Sequence, residues 1–357
     1  MNVLLSTVGH IGSDYYRIEE PARAVEASGL GVRVTVQRGL TTTMRPSSAG
    51  GTPEITDVDA QGADVVVLQL PKTPEMLDCI RILQAQGVAV VVEMDDLLSA
   101  VPFGHPAHSA LVRKGKARVA LACAREADFV TTSTPALLEE YGSRGRGAVV
   151  PNAIPRRIAE LAPAYDRDPE TVTVGWPGAV LGHPYDLQEM GSGLQQALDA
   201  TRGASRFMIL GQKSDARARL ALTEEPEEVS WIPDVDGYVT AVGDLFDVGV
   251  APLRDDRFNT AKSWLKALEF AARGVHFVRS PSAEYERLGL GMRAKSPRDW
   301  AKWLTTGIRD AEHRREHAIR ARETVLAAHL TEHTVERWVA AWQLAIDHRA
   351  RSRRKGA

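Results

Sequence analysis

Short, unbroken runs of branched apolar residues punctuate this chain of 357 residues and constrain its fold more than any other feature. VVVLQL, VAVVVEM, FDVGVA and VHFV are brief, rich in β-branched residues and bounded by turn residues, which favours strands over buried helices. A strand apolar on both faces lies inside a parallel sheet covered on both sides, so the fold class is α/β. Helical segments fill the intervals, among them Tyr16 to Ser28, Pro74 to Gln86, Ser109 to Ala127 and Pro135 to Tyr141.

A second alternation begins after ELAPAYDRDPE, Glu160 to Glu170, where proline, aspartate and arginine replace the periodic pattern. Its strands run over Val172 to Gly175, Arg206 to Leu210, Val229 to Ile232 and Val248 to Ala251, with a helix over Leu187 to Ala200. From Asp299 the chain reads as nearly all helix, ending in Val335 to His348. These signals divide it into an N-terminal α/β domain, 1–165, a C-terminal α/β domain, 166–330, and a closing helix with a basic tail, 331–357. Two such halves place a ligand cleft between the carboxyl edges of two facing sheets.

Charge narrows the partners. With 44 basic and 46 acidic residues, the net charge of -2 gives no global attraction to nucleic acid or an anionic membrane. Arg349, Arg351, Arg353, Arg354 and Lys355 form a basic end that reads as a solvated, frayed terminus, or else as a contact to phosphates. Two cysteines, Cys79 and Cys123, supply no disulfide framework. The opening MNVLLSTVGHIG lacks a basic leader, and no apolar run approaches the roughly 20 residues that span a bilayer. The expectation is a cytoplasmic protein with at most peripheral membrane contact.

Chemistry gathers after FDVGVAPL, where Lys262, Ser263 and Lys266 stand at the entrance of an expected helix starting near Thr260, and Glu269 follows one turn later. Unpaired N-H groups and partial positive charge at a helix N-terminus suit a phosphate-bearing ligand, and a carboxylate behind it suits ribose hydroxyls. The competing reading is an amphipathic helix whose charged face carries Lys-Glu-Arg pairs. Gly9-x-x-Gly12 followed by Arg17 is either a phosphate-cradling turn or a plain strand-to-helix turn. Glu93, Asp95 and Asp96 end a buried strand, where they would hold a metal, contact sugar hydroxyls or cap the next turn. His183 lies in a glycine-rich loop, titrates near neutral pH and can donate to a phosphate, and Asp186 opens the next helix either as its N-terminal cap or in a functional role. His105 and His108 follow the aspartate pair in a proline-rich loop. His313-Arg314-Arg315-Glu316-His317 spells an inverted zinc-peptidase motif, but the surrounding arginines would repel the cation.

In order, GSDYYRIEEPARAV, VVVEMDDLL, ADFVTTSTPALLEEYGSRGRGAVVPNAIP, VTVGWPGAVLGHPYDL, FMILGQ and FDVGVAPLRDDRFNTAKSWLKALEFAARGVHFVRSPSAEY resemble the retaining GT-B glycosyltransferases of the family-4 type, over most of the chain. The resemblance implies two facing Rossmann-like domains, with the C-terminal helix packing back on the N-terminal one. It implies donor contacts from Gly12, Arg17, His183, Lys262, Ser263 and Glu269, catalytic roles for Asp95, Asp96 and Lys266, and acceptor contacts from His105 and His108. No metal or cofactor is implied beyond a nucleotide-diphosphate sugar as co-substrate. The acceptor would be a saccharide, a lipid-linked sugar, a small metabolite or a DNA base. Two positions depart from the pattern. Ala261 stands where the first of two paired glutamates is usual, and His183 is near the place of a missing basic residue. Rival readings on the same scaffold are a nucleotide-sugar epimerase and a non-catalytic sugar-nucleotide binder.

Overall fold

The valine-rich runs form strands, and each is laid parallel to its neighbours. The structure is a computed structural model that describes residues 1–46, 53–143 and 145–356. The chain divides into two compact units: Met1–Val101, Ser109–Asn152 and Thr331–Ala357 form one, and Pro102–His108 with Ala153–Leu330 form the other.

Unit 1 contains β1 (Asn2–Thr7), β2 (Arg33–Arg38), β3 (Thr42–Arg45), β4 (Glu54–Val58), β5 (Val65–Gln69), β6 (Ala89–Met94), β7 (Phe129–Thr132) and β8 (Gly147–Val149). Six of these make a parallel sheet in the order β2-β1-β5-β6-β7-β8, and every residue of β5 and β6 is buried. The remaining two, β3 and β4, pair as an antiparallel hairpin that the sequence pattern did not announce, because its side chains are mostly exposed and no apolar run marks it. Helix boundaries follow local chemistry. Thr73 caps Pro74–Gln86 by accepting from the Met76 N-H, and Gly87 closes that helix at φ 90°. The expected helix Ser109 to Ala127 is instead broken at Gly115, φ 79°, into a turn at Ser109–Arg113 and a helix at Lys116–Glu126.

The closing helix Val335–Gly356 belongs to unit 1. Val335, Trp338, Ala341, Trp342 and Ala345 recur at helical spacing and bury one face against Val3, Val67 and Val91. It runs past the expected end at His348, and its basic residues are not a frayed tail. Arg349 Nε donates to Asp128 Oδ1 at 2.9 Å, and His348 Nδ1 lies 3.1 Å from the same oxygen. Asp128 is wholly buried and also accepts from the Val90 N-H at 2.9 Å, so one carboxylate ties the helix to the sheet. Arg351 and Arg354 remain exposed, while the Lys355 side chain lies outside the described residues.

Unit 2 contains β9 (Val172–Ala179), β10 (Ser205–Gln212), β11 (Glu227–Val229), β12 (Val248–Ala251), β13 (His276–Arg279) and β14 (Met292–Arg293), all parallel in the order β11-β10-β9-β12-β13-β14. The chain winds outward from β9 in one direction and then restarts at β12 in the other. The loops after these two strands therefore part and leave a crevice at their carboxyl ends. Trp176, Phe207, Ile209, Val250, Trp300 and Leu304 fill the core beneath. Among the described residues no helix is long and apolar enough to cross a membrane.

The Asp128 anchor gives a direct test. Asp128→Ala strands Arg349 and His348 and frees the Val90 N-H, so urea unfolding should show a loss of about 3 kcal/mol. Hydrogen exchange should show the closing helix opening first, and a loss below about 1 kcal/mol would contradict the anchor.

Candidate functional site

Two glycines shape the end of β9. Gly178 and Gly211 have φ of 151° and 138°, and a Cβ on Gly211 would lie 2.1 Å from the Gly178 carbonyl oxygen. Only glycines let β9 and β10 stay paired to their last residues, Ala179 and Gln212. The chain then turns through Val180–Gly182 into His183 and Asp186.

Asp186 closes the crevice from one side to the other. Its Oδ2 lies 2.7 Å from His183 Nδ1, while Oδ1 accepts from the Arg254 N-H at 3.0 Å and from Asn259 Nδ2 at 2.7 Å. Arg254 and Asn259 follow β12, so one buried carboxylate joins the loops on either side of the switch point. Burial pushes the Asp186 carboxyl up, but the hydrogen bonds from His183, Arg254 and Asn259 together hold it below the usual range. It caps no helix with its side chain, which settles one of the two sequence readings.

Beyond Asn259 the expected continuous helix is broken. Arg257–Thr260 forms one turn, and a second helix starts at Leu265 and runs to Ala272. Ser263 Oγ accepts from the Leu265 N-H at 3.4 Å. Lys266, in the first turn, donates to the Pro177 carbonyl oxygen and sits 4.9 Å from the Trp176 ring centre. Burial, the dominant influence, outweighs Glu269 and Asp186 and lowers the Lys266 amine to about 8. Lys262 Nζ lies 4.4 Å from the Phe258 ring centre. Glu269 is only 6% exposed, and Arg273 is buried with Nη2 3.3 Å from Asp244. This helix face is therefore turned into the unit, and the reading of an ordinary solvated charged face is overturned.

His183 packs edge-on against Trp176, with ring centres 5.5 Å apart, so the histidine and Lys266 share one indole. Burial first, then Lys266 and Lys262, hold its imidazole below the ordinary value against the pull of Asp186.

Other expected site residues are distributed differently. Arg17 is buried in unit 1: Nε donates to Glu93 at 2.7 Å, Nη1 to the Val150 carbonyl at 2.6 Å and to Asn152 at 2.9 Å, and Trp338 covers the guanidinium. Nε and Nη1 are engaged by the protein and tie β6 to the chain after β8, while the buried Nη2 has no hydrogen-bond partner among the described residues. Glu93 is likewise taken up by Arg17 and Thr131, and is no free metal ligand. Gly9, at φ 83°, makes the turn after β1 and donates to Asp14 at 2.9 Å, whereas Gly12 has open space where a Cβ would go. Asp95 accepts from Ser13, which in turn receives Gln69 Nε2 at 2.8 Å, at the carboxyl edge of β5 and β6. The Asp96 carbonyl accepts from Tyr141 at 3.1 Å. His105 and His108 sit in the Pro102–His108 segment of unit 2, where His105 lies 6.3 Å from Phe258 by ring centres and His108 lies 5.8 Å from Phe103. His313 and His317 lie 4.3 Å apart by ring centres in a tilted pair, and each meets His276 edge-on. No described cluster of three or more ligating side chains is placed to hold a metal.

No protein-family profile matches the sequence, and no curated protein matches it. Solved structures do. The chain overlays a glycosyltransferase from Rickettsia africae ESF-5 at TM-score 0.62 and 12% identity, covering 97% of this chain and 98% of that one. It overlays Anabaena Alr3699/HepE, solved in complex with UDP and glucose, at 0.63 and 15%, covering 96% and 99%. TarM matches at 0.58 and 15% identity over 78% of this chain, which spans about half, 54%, of TarM. The fold is GT-B.

In this GT-B chain, sequence reading missed Asn259, Tyr238 and Tyr285. Burial dominates both phenols and, with the charge of Glu269, holds them above their ordinary value. It also missed Lys72, which follows β5 and is held below its usual value by burial, against the pull of Asp95 and Asp96. None carries a motif; only the strand-end position marks Lys72.

Gly211→Ala tests the shape of the crevice. A side chain there displaces the Gly178 peptide beside the carbonyl that holds Lys266, with an expected stability loss of about 1–3 kcal/mol in denaturant unfolding. A variant as stable as the parent would show that the close approach is not required.

Proposed function

We propose that this protein is a glycosyltransferase that moves a sugar from a nucleotide-diphosphate sugar to an acceptor hydroxyl, with unit 2 binding the donor and unit 1 the acceptor. The observation that carries the reading is the pair of lysines Lys262 and Lys266, gathered with His183 and Glu269 at the switch point of unit 2. The GT-B fold supports it, as does the UDP bound to the similar Anabaena protein. Glu269, with Tyr238 and Tyr285 in its field, would receive the ribose hydroxyls, and Ser263 would line the approach to the phosphates.

Breaking the sugar-phosphate bond leaves negative charge on the departing diphosphate and oxocarbenium-like positive charge on the sugar. Lys266 and Lys262 would stabilise the first. Asp95, with Asp96 at the same strand end, would stabilise the second. Two lysines supply the charge that a metal otherwise brings, so the proposed transfer is metal-independent. Retention and an acceptor drawn from saccharides, lipid-linked sugars, small metabolites or DNA bases belong to the same proposal. A second reading has its own observation: Ala261 is buried where a glutamate is usual, which favours a binder of sugar nucleotides without transfer.

Melting of the full chain with UDP, GDP and ADP and their sugars tests the donor. One series should raise Tm in a concentration-dependent way, and loss of the effect in Glu269→Ala with the same nucleotide should follow. Release of nucleoside diphosphate in the presence of acceptor separates transferase from binder.

Lys266→Met should dissociate stability from function. In the ligand-free protein the charged amine is held in a desolvated place, and between pH 8 and the ordinary 10.5 the unfolded chain binds more protons than the folded one. Stability from this group therefore grows as pH rises through that window and is lost below it. The variant should melt higher than the parent at pH 7, with the gap closing above about pH 8, while turnover falls by at least tenfold. Lower stability at pH 7 together with undiminished turnover would remove Lys266 from the site.

A further inference from the structure

The switch-point crevice holds a histidine in an arrangement that a mere loop residue does not need. His183 is fixed at three levels: Asp186 takes Nδ1 at 2.7 Å, Trp176 meets the ring at its edge, and Asp186 is itself locked by Arg254 N-H and Asn259 Nδ2. Nδ1 is thereby committed, and Nε2 is the nitrogen through which the ring, 27% exposed, would meet a ligand. The groups around it have opposing effects. Asp186 favours the imidazolium; Lys266 and Lys262, from the segment after β12, disfavour it. Arg219, reaching from beyond β10, occupies the adjacent Pro184 carbonyl at 2.6 Å, and Arg254 lies over Tyr185 at 4.7 Å. The two lysines thus oppose the one carboxylate bonded to the ring, and an anion placed beside them would favour the imidazolium.

We propose that His183, held by Asp186 and Asn259, is a titratable cation of the donor site, neutral in the free protein and protonated from solvent when a pyrophosphate enters beside Lys266. The assignment rests on the donor reading above. Asp186 and Asn259 are positioning residues: they fix the tautomer and the place of the ring and stabilise the imidazolium once formed. The charge balance is simple. The incoming anion brings negative charge, one proton moves from buffer to His183 Nε2, and no bond within the ligand changes. On departure of the diphosphate the proton returns, so the site releases its product more readily as pH rises.

Isothermal titration of the full chain with UDP, in buffers of different ionisation enthalpy, counts the protons taken up on binding. Wild-type protein should take up a fraction of a proton near pH 6.5 that His183→Asn does not. The difference between the two cancels the titration of UDP itself, whose terminal phosphate has a pKa near 6. After that subtraction UDP affinity should fall with rising pH, by up to about tenfold per unit, the limit for one linked proton. Asp186→Asn should move the linked step to lower pH. Lys266 gives a separate step centred near its own value of about 8, so the two are resolved by pH. Should His183→Asn fail to fold, His183→Gln supplies the same subtraction, so that the ionisation of UDP itself below pH 7 is still removed from the comparison. Binding of UDP, GDP or ADP without uptake below pH 7, or with uptake equal in wild type and His183→Asn, overturns the titratable histidine and leaves the donor reading standing. Failure of all three nucleotides and of inorganic pyrophosphate to bind overturns both.

Discussion

The hydrogen bonds of Asp186 across the switch point are the constraint on which the candidate site depends. A strand order that reverses between β9 and β12 parts the loops that follow, and nothing in the sheet ladder itself holds those loops together. One carboxylate supplies the link. Buried, it would be costly alone, but it is compensated by a ring nitrogen, a backbone N-H and a side-chain amide. The same interaction that organises the backbone therefore also orients His183, and a loss of Asp186 would change loop geometry and site electrostatics together.

Unit 1 uses the same chemistry for another end. Arg17 and Glu93 pair at 2.7 Å in a place almost closed to water, with Val150 and Asn152 taking further hydrogens and Trp338 covering the plane. This pair joins the helix after β1, the end of β6, the chain beyond β8 and the closing helix. A buried arginine bonded through Nε and Nη1 ties the fold together, whereas burial holds the ionised forms of Lys266 and His183 at a disadvantage. On the donor-site proposal, that contrast would separate a fold-holding cation from one that an anion completes.

The sequence displayed the sheets clearly and the site only in part. Runs such as VVVLQL and VAVVVEM became β5 and β6 because a strand buried on both faces has no other composition available, and the helix expected over Pro74 to Gln86 forms with those bounds. Elements without such signatures escaped: the exposed hairpin β3-β4, and the breaks at Gly115 and between Thr260 and Leu265, where tertiary packing outweighs local propensity. In the site, Lys266 and Glu269 were visible because charge at a helix entrance is a local pattern. The role of Arg17 was not, since its partners at Glu93, Val150 and Asn152 are remote in sequence. Asp186 was noticed as a cap, and only the fold reveals that its hydrogen bonds run to a loop some seventy residues onward.

Arg219 and Arg254 are held on Pro184 and Tyr185 beside the crevice, so the charge nearest His183 comes from Lys262 and Lys266. Arginine stays charged at every accessible pH and would hold a diphosphate after the sugar has left as firmly as before. Lys266, lowered to about 8, and His183, held below its ordinary value, are both weakened by burial in the free protein. An anion entering among them recovers that cost as binding energy, and its departure restores it. On the donor-site proposal, stabilisation would follow the ligand's charge instead of preceding it, and would be greatest where negative charge is greatest, on the departing diphosphate. The desolvation that makes these residues unfavourable in the empty crevice is the same physical term that would make them effective there.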